Sequence, residues 1–498
     1  MVSSPAKLGK QSRQTSQVNM KNDSINPSDR GRRLLPVVID QLASTDPTRV
    51  FVSIPLTTSI QDGFRDITFE EISRAINRCA WWIEANIGRN ESNDTFETIN
   101  YIGPQDLSSP MNSADGHLSL LDSLECTTLL VPEVVPPLTR IILSQRQART
   151  LTIQNLDELL HPGPVNPYPY TKTFDEARQD SFVVLHTSGS TGFPKPVILT
   201  HGTVAHHDTF LIPPPPGEAS VASAIFSNKR VFIGLGLFHS AAMCSVAFAI
   251  YSNTTLVIPP PVPMTAELAN QAHLHGNLDV SFLSPSILVD IAKNPSHLDN
   301  IRRLKHVTYG GGPLPRETGE MIRAQTHLFV NFGATETGYY PLLPTDAEDW
   351  EYMSFSSRMG IELRPFTGEL YELVFIRNAE LSLFQGVFST FPTLHEYRTK
   401  DLSSKHPYKP GLWKFEGRSD DVIVCSTGQK VNPIEMEGLV NSHPSVVSAI
   451  VCGQGRERVS LLVEARDPPR DEDERAALIK ELWPFIENVN DEQGKEQF

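Results

Sequence analysis

Cysteine is scarce in this chain: Cys79, Cys126, Cys244, Cys425 and Cys452 are the only five in 498 residues. They are odd in number, widely spaced and form no CxxC pair. That excludes a disulfide framework and a zinc knuckle, and points to a reducing, cytoplasmic compartment. Long apolar runs are missing too. The longest, over residues 241–251, is broken by Ser245 and is too short to span a bilayer, so no membrane span is expected. The N-terminus has no apolar signal-peptide core. Positive charge is in short supply: Lys plus Arg number 43 against 58 Asp plus Glu, a formal net charge of −15. Gripping nucleic acid calls for concentrated Lys and Arg, so no nucleic-acid partner is expected. Glycine and proline together make about 14% of the residues, which excludes collagen-like and low-complexity architectures.

What is present is enough for two to four domains with a large buried core. Residues 1–33 are polar, rich in Ser, Asn and Gln, and carry Lys7, Lys10, Arg13, Lys21, Arg30, Arg32 and Arg33. With few acids they are compatible with a transit peptide. Without an amphipathic period they read better as a disordered leader. Thr68-Phe69-Glu70-Glu71 is a capping box, and Phe69, Ile72, Ile76, Cys79, Ala80 and Ile83 follow at helical spacing until Gly88, which predicts a core-packed helix. From Phe182 onward one pattern recurs: a short β-prone run, a Gly/Ser/Thr-rich loop, then a helical pattern. It predicts an α/β fold, with a large N-terminal domain of mostly parallel sheets and flanking helices over residues 34–417. Ligands bind beyond the carboxyl ends of such strands, where four of these loops should gather. Near Gly417 the character changes, and residues 418–498 read as a small, mobile α+β domain.

Four segments carry chemistry. His186-Thr187-Ser188-Gly189-Ser190-Thr191-Gly192-Phe193-Pro194-Lys195 leaves a strand with two glycines, three hydroxyls side by side with them, and a lysine. Glycines let backbone N–H groups approach phosphate oxygens, hydroxyls add donors, and lysine supplies a point charge. It is not a Walker A loop; taken alone it is also an ordinary flexible turn. In Asn331-Phe332-Gly333-Ala334-Thr335-Glu336-Thr337-Gly338, the aromatic can stack on a base, Thr335 can bond a phosphate and Glu336 can hold Mg²⁺. The bland alternative is a glycine turn with an exposed glutamate. In Tyr397-Arg398-Thr399-Lys400-Asp401-Leu402, Asp401 can accept from both ribose hydroxyls; a surface salt-bridge cluster is the alternative. Gly417-Arg418-Ser419-Asp420 lies where a hinge would fall.

In this order the four segments resemble the signature set of the adenylate-forming superfamily, which includes acyl-CoA synthetases, luciferases and adenylation domains of nonribosomal peptide synthetases. The run from Pro167 to Phe174, together with Val184-Leu185-His186-Thr187-Ser188 and Val431-Asn432-Pro433-Ile434-Glu435, is similar to fungal synthetase-like carboxylic acid reductases of secondary metabolism. The resemblance covers residues 34–490. It implies a loop of Thr187, Ser188, Gly189, Ser190, Thr191, Gly192 and Lys195 over the ATP phosphates. Phe332 would flank adenine, with the Gly310-Gly311-Gly312 turn beneath the nucleotide and Asn331 and Gly333 among the ATP/AMP-binding residues; Thr335 would touch the α-phosphate, and Glu336 would bind Mg²⁺. Asp401 would hold the ribose, Arg418 would contact ribose or phosphate, and Asp420 would be the hinge. Thr335, Glu336 and Lys195 would act in the chemistry. The implied cofactors are ATP and Mg²⁺, with a phosphopantetheine or CoA thiol as acceptor.

Amino-acid-activating relatives place an aspartate near Leu237-Phe238-His239-Ser240, yet no acid lies between Lys229 and Glu267. A buried ammonium without a counter-charge costs several kcal/mol. An aryl, keto or fatty acid is therefore expected, with His239 either lining the acyl pocket or serving as a core histidine. Between Leu107 and His117 the chain is shorter than its relatives by a helix and a strand. The superfamily's late catalytic lysine has one candidate, Lys495, whose context does not match, and the small domain reads as truncated. Three readings stand: an adenylating domain serving a carrier protein or reductase domain in trans, a free-standing acyl-CoA ligase, and a non-catalytic nucleotide-binding remnant.

Overall fold

The computed structural model describes residues 27–88, 97–103, 109–110, 112–187, 193–426, 430–441 and 443–492. Its central element is a seven-stranded sheet in the order His327–Val330, His306–Tyr309, Val280–Leu283, Arg230–Ile233, Thr255–Val257, Val50–Pro55, Phe64–Thr68. All neighbours run parallel except the last pair, an antiparallel edge. The parallel strands are mostly apolar, with Ser53, Ser281 and Thr308 as fully buried small polar residues among them, as suits strands covered on both faces. Val280 and Leu283 are fully buried, and Phe282 nearly so. Helix Ser240–Ser252 lies in the core against this sheet, with Ala247, Phe248, Ala249 and Ile250 all buried. No described helix is long and apolar enough to cross a membrane.

Two further sheets complete the large domain. Ile99–Tyr101, Thr128–Val131 and Arg149–Thr152 form a parallel three-stranded sheet. Helix Ala114–Ser123 supplies the crossover between Ile99–Tyr101 and Thr128–Val131, closing a strand–helix–strand unit. A six-stranded antiparallel sheet runs Leu342–Leu343, Tyr352–Phe355, Trp413–Arg418, Glu396–Lys405, Leu370–Ile376, Ile361–Thr367. Beyond Arg418 a separate apolar core gathers Ile423, Val431, Met436, Val440, Val446, Ala449, Val451, Leu482 and Ile486. Helix Pro433–Asn441, the antiparallel pair Val446–Cys452 and Ser460–Ala465, and helix Glu472–Glu492 close around it.

Three expectations need correction. The strand Ser181–Thr187 does not join the central sheet; it pairs antiparallel with Lys195–Thr200 in a separate hairpin. Pro194 and Pro196 mask that second strand in the sequence, because proline is confined to edges and strand starts. The helix Phe69–Ile87 has the expected capping box and ends at Gly88, φ +100°. Its buried face is turned, however: Ser73 and Asn77 are buried while Ile76 is exposed. Asn77 Oδ1 accepts from the Tyr168 N–H at 2.7 Å, so a polar residue holds the crossing segment where an apolar one was expected. Finally, the leader does not extend to residue 33. Arg30 Nη1 lies 3.0 Å from Asp208 Oδ1, Gly31 N–H donates to Asp208 Oδ2 at 2.9 Å, and Arg33 Nε reaches the same carboxylate at 2.8 Å. Asp208 is fully buried, and a buried carboxylate needs such partners.

Candidate active site

Three strands of the parallel sheet end in the loops that build the site. Val280–Leu283 runs into Ser284, His306–Tyr309 into Gly310-Gly311-Gly312, and His327–Val330 into Asn331-Phe332. Parallel strands in register bring their carboxyl ends together, so loops distant in sequence become neighbours. The Asn331 N–H donates to the Tyr309 carbonyl at 2.7 Å and ties two of them. Gly310 is required by contact: a Cβ there would lie 2.5 Å from the Asn331 carbonyl oxygen. Gly311 is required by conformation, with φ +90°. No atom lies within 4 Å of where a Cβ of Gly311 or Gly312 would stand, so the backbone offers a bare face. The same cleft is lined by Phe332, Met353, Lys414 and Phe415. The Phe332 ring sits 5.0 Å from Phe415 and 5.3 Å from Tyr340. Bare glycine backbone and an aromatic cluster in one cleft suit a flat heteroaromatic ring.

The next group comes from the antiparallel sheet, where Asp401 on Glu396–Lys405 stands opposite Arg418 on Trp413–Arg418. Asp401 is only 5% exposed, with Arg418 Nη1 at 3.3 Å from its Oδ1. Burial pushes the Asp401 carboxyl up to about 7; Arg418 pulls it back, while the negative charges of Glu336 and Asp420 add to the rise. Asp420 goes the other way. Burial raises it, but hydrogen bonds from Arg418 Nε and Lys400 Nζ, both at 3.1 Å, outweigh that and hold it below the usual carboxylate range. Lys400 reaches Asp420 from a left-handed backbone, φ +67°, a conformation that costs a side-chain-bearing residue about 1 kcal/mol.

Thr335 and Glu336 sit at the tip of a miniature hairpin in which Gly333–Ala334 pairs with Gly338–Tyr339. The hairpin closes because Gly333 has no Cβ, which would stand 2.3 Å from the Gly338 carbonyl oxygen. Thr335 Oγ1 donates to Ser240 Oγ at 3.4 Å, at the start of the buried helix, and the Glu336 carbonyl accepts from Thr390 Oγ1 at 3.0 Å. His239 precedes that helix with its ring 4.5 Å from Phe238, and burial pushes its pKa down. His186 is pushed down likewise, by burial and then by His239, while its Nε2 accepts from the Ser109 N–H at 3.0 Å.

Of the residues expected from the sequence, Gly311, Gly312 and Phe332 line the cleft. Asn331 is tied to its strand loops, and Asp401 lies within electrostatic reach of Arg418, Glu336 and Asp420. Gly333, Thr335 and Glu336 share the small hairpin, with Thr335 bonded to Ser240 next to His239. Ser188, Gly189, Ser190, Thr191 and Gly192 lie outside the described residues, as does Lys495. Thr187 and Lys195 face each other across the hairpin, and Lys195 opens a strand instead of lying within a loop. Among the described residues no hydrogen bond or ion pair joins Lys195 to the cleft. Phe415, Met353, Ser240 and Thr390 were not singled out from the sequence. Only Phe415 had a local signal, in the aromatic alternation of Trp413 and Phe415 just before Gly417-Arg418.

A glycine-lined cleft at the carboxyl ends of parallel strands, in a chain whose residues beyond Arg418 form a separate apolar core, has the layout of a two-part α/β enzyme with its ligand site at the strand ends. Residues 109–361 match the model of the AMP-binding enzyme family and residues 420–496 that of the AMP-binding enzyme C-terminal domain. The chain belongs to the AMP-binding enzymes, the adenylate-forming ligases. It is 32% identical over 489 residues to a carboxylic acid reductase of Neurospora crassa, covering 93% of this chain and 46% of that protein. It is 28% identical over 519 residues to adenylate-forming reductase Nps10 of Heterobasidion annosum, covering 92% and 45%. The chain spans less than half the length of these curated relatives. Its fold is shared by an anthranilate CoA ligase solved with anthranoyl-AMP, at TM-score 0.67 and 16% identity over 94% of this chain and 92% of that one. The O-succinylbenzoate coenzyme A synthetase of Bacillus subtilis, solved with ATP and magnesium, gives TM-score 0.64 and 17% identity over 88% and 91%.

Proposed function

We propose that the chain activates an aryl, keto or fatty carboxylic acid with ATP and hands the acyl group to a thiol, on phosphopantetheine of a carrier protein or on CoA. A substrate carboxylate oxygen attacks the α-phosphorus. The bond from that phosphorus to the bridging oxygen breaks, and pyrophosphate leaves with the electron pair. The products are acyl-adenylate and pyrophosphate. No side-chain nucleophile is needed; positioning and charge neutralisation carry the reaction.

The observation that carries this reading is the bare Gly311-Gly312 backbone in one cleft with Phe332, together with the buried Asp401 carboxyl paired with Arg418. Adenine fits the first pair, and the ribose diol supplies the hydrogen-bond donors that a buried carboxylate wants. In this reading Thr335 would hold an α-phosphate oxygen, and Arg418 would neutralise ribose-side or phosphate charge. Glu336 offers a hard oxygen ligand of the kind Mg²⁺ takes; the metal, when bound, draws negative charge from the phosphates. Asp420, tied to Lys400 and Arg418, stands where the small domain begins and would serve as its hinge. An α-amino acid is disfavoured because the segment between Lys229 and Glu267, which contains His239 and Ser240 at the start of the helix, carries no acidic residue to meet an ammonium. The reductase names of the curated relatives favour a carrier-bound thiol over free CoA.

The test is carboxylate-dependent exchange of labelled pyrophosphate into ATP over a panel of aryl, keto and fatty acids. Exchange with at least one acid is expected, and none with α-amino acids. A protein that binds AMP yet exchanges with no acid would be the non-catalytic remnant. Thioester formation on free CoA would replace the carrier reading with the ligase reading.

A further inference from the structure

Behind the Thr335-Glu336 tip lies a chain of hydroxyls, two buried and one half-buried, that the proposed chemistry leaves unused. Thr390, at the end of the short helix Val387–Thr390, donates from Oγ1 to the Glu336 carbonyl at 3.0 Å. Having given its proton there, Thr390 Oγ1 is left to accept, and Thr203 Oγ1 lies 2.9 Å away. Thr203 Oγ1 in turn stands 3.0 Å from Thr200 Oγ1. The Thr203 N–H donates to Thr200 Oγ1 at 3.2 Å. Every hydroxyl proton then has one assignment, running from Thr200 through Thr203 and Thr390 to the Glu336 carbonyl. Thr200 and Thr203 are 7% and 1% exposed, so water does not replace the bond between them, while Thr390 is half-buried. Close packing fixes the geometry: a Cβ on Gly202 would lie 2.8 Å from Ser389 Oγ, and one on Gly386 2.9 Å from His206 Nδ1. The other end of the tip is held as well. His206 Nε2 lies 3.2 Å from the Tyr339 carbonyl, and His207 Nε2 accepts from the Tyr339 N–H at 3.2 Å.

We propose that Thr390 is a positioning residue for Glu336, and that the Thr200–Thr203–Thr390 hydroxyl chain sets the Glu336 carboxylate relative to the strand Lys195–Thr200. The strand that begins at Lys195 and the glutamate tip belong to different sheets and share no backbone ladder. Among the described residues the three hydroxyls form a polar link between them. This rests on Glu336 as the Mg²⁺ ligand. If that holds, loosening the Glu336 carbonyl weakens the metal's contribution to ATP binding while leaving the adenosine end of the cleft intact.

The experiment compares ATP binding with and without Mg²⁺, and AMP binding without Mg²⁺, by calorimetry on the full chain. Thr390→Val keeps the shape and removes the donor. The factor by which Mg²⁺ tightens ATP binding is expected to fall about tenfold, the equivalent of one net hydrogen bond of about 1.4 kcal/mol. AMP affinity is expected to stay within twofold, and Thr390→Ser to restore the Mg²⁺ factor. Should the valine variant not fold, Thr390→Ala must show the same loss. Glu336→Gln separates the two ideas. If Glu336→Gln abolishes the Mg²⁺ factor and Thr390→Val leaves it untouched, the positioning role is wrong and the metal reading stands. If Glu336→Gln leaves the factor unchanged, the metal reading fails and the positioning role with it. Equal impairment in the serine and valine variants would overturn the hydroxyl as the cause.

Discussion

Asp401→Asn should make the protein more stable and less able to bind nucleotide at the same time. A carboxyl that titrates at about 7 instead of 3.8 resists ionisation because burial strips its hydration. Holding it ionised at pH 8 therefore costs the folded state about 4 kcal/mol at most, and on the order of 2–4 kcal/mol after allowing for the partly exposed Arg418 beside it. Asparagine has the same shape, carries no charge and still offers Oδ1 to Arg418. A ribose diol loses one charge-assisted acceptor, worth about 1.5–3 kcal/mol, so AMP affinity should drop roughly ten- to hundredfold. The pH dependence has a definite sign. A raised acidic pKa means the folded chain holds a proton that the unfolded chain releases, so Asp401 erodes stability as pH rises from about 4 to 7. Ligand binding favours the ionised form, so AMP affinity should climb through pH 7. Urea melts and AMP titrations between pH 5 and 9, wild type against variant, read both effects, and their ratio cancels the titration of the AMP phosphate. A variant less stable than wild type at pH 8, or one that binds AMP equally well, would refute the argument.

Other expectations are as concrete. Gly311→Ala should cost about 1 kcal/mol of stability from its left-handed backbone and more than tenfold in ATP affinity, because the methyl would stand in the open face of the cleft. A substitution with normal ATP affinity would move the adenine elsewhere. Asp208→Ala leaves Arg30 and Arg33 buried without their carboxylate and should cost about 3–5 kcal/mol in chemical denaturation; a loss under 1 kcal/mol would contradict the buried clamp. Burial holds His206, His207, His273 and His306 below the ordinary imidazole value of 6.5, with His273 and His306 at about 4. Their contribution is present above 6.5 and drains away as pH falls toward 4, opposite in direction to Asp401. Replacing His273 with Gln should flatten the acid side of the stability profile, and an unchanged slope would exclude it as a contributor.

Local order was the legible part of the fold. Thr68, Glu71 and Gly88 fix a helix by contacts within four residues, and the strand runs before Gly310 and Asn331 are apolar enough to declare a buried parallel sheet. What the sequence hid depends on partners far along the chain. Ile76 looked like core until Asn77 met the backbone of Tyr168. The hairpin of Ser181–Thr187 with Lys195–Thr200 was obscured by flanking prolines. Asp401, Arg418 and the glutamate tip were readable as motifs, but Thr390 and Ser240 have no signature, because a hydroxyl gains its role only from what the fold brings to it.

The Asp208 clamp also bears on the order in which the chain can be made. Arg30 and Asp208 are 178 residues apart. At roughly 5–20 residues per second, a ribosome needs about 10–35 s between adding one and adding the other. Until then Arg30 and Arg33 have no carboxylate to close on. The segment around Arg30 thus closes its clamp only after the chain has grown past Asp208, 178 residues on, so this long-range contact cannot guide the folding of anything made before it.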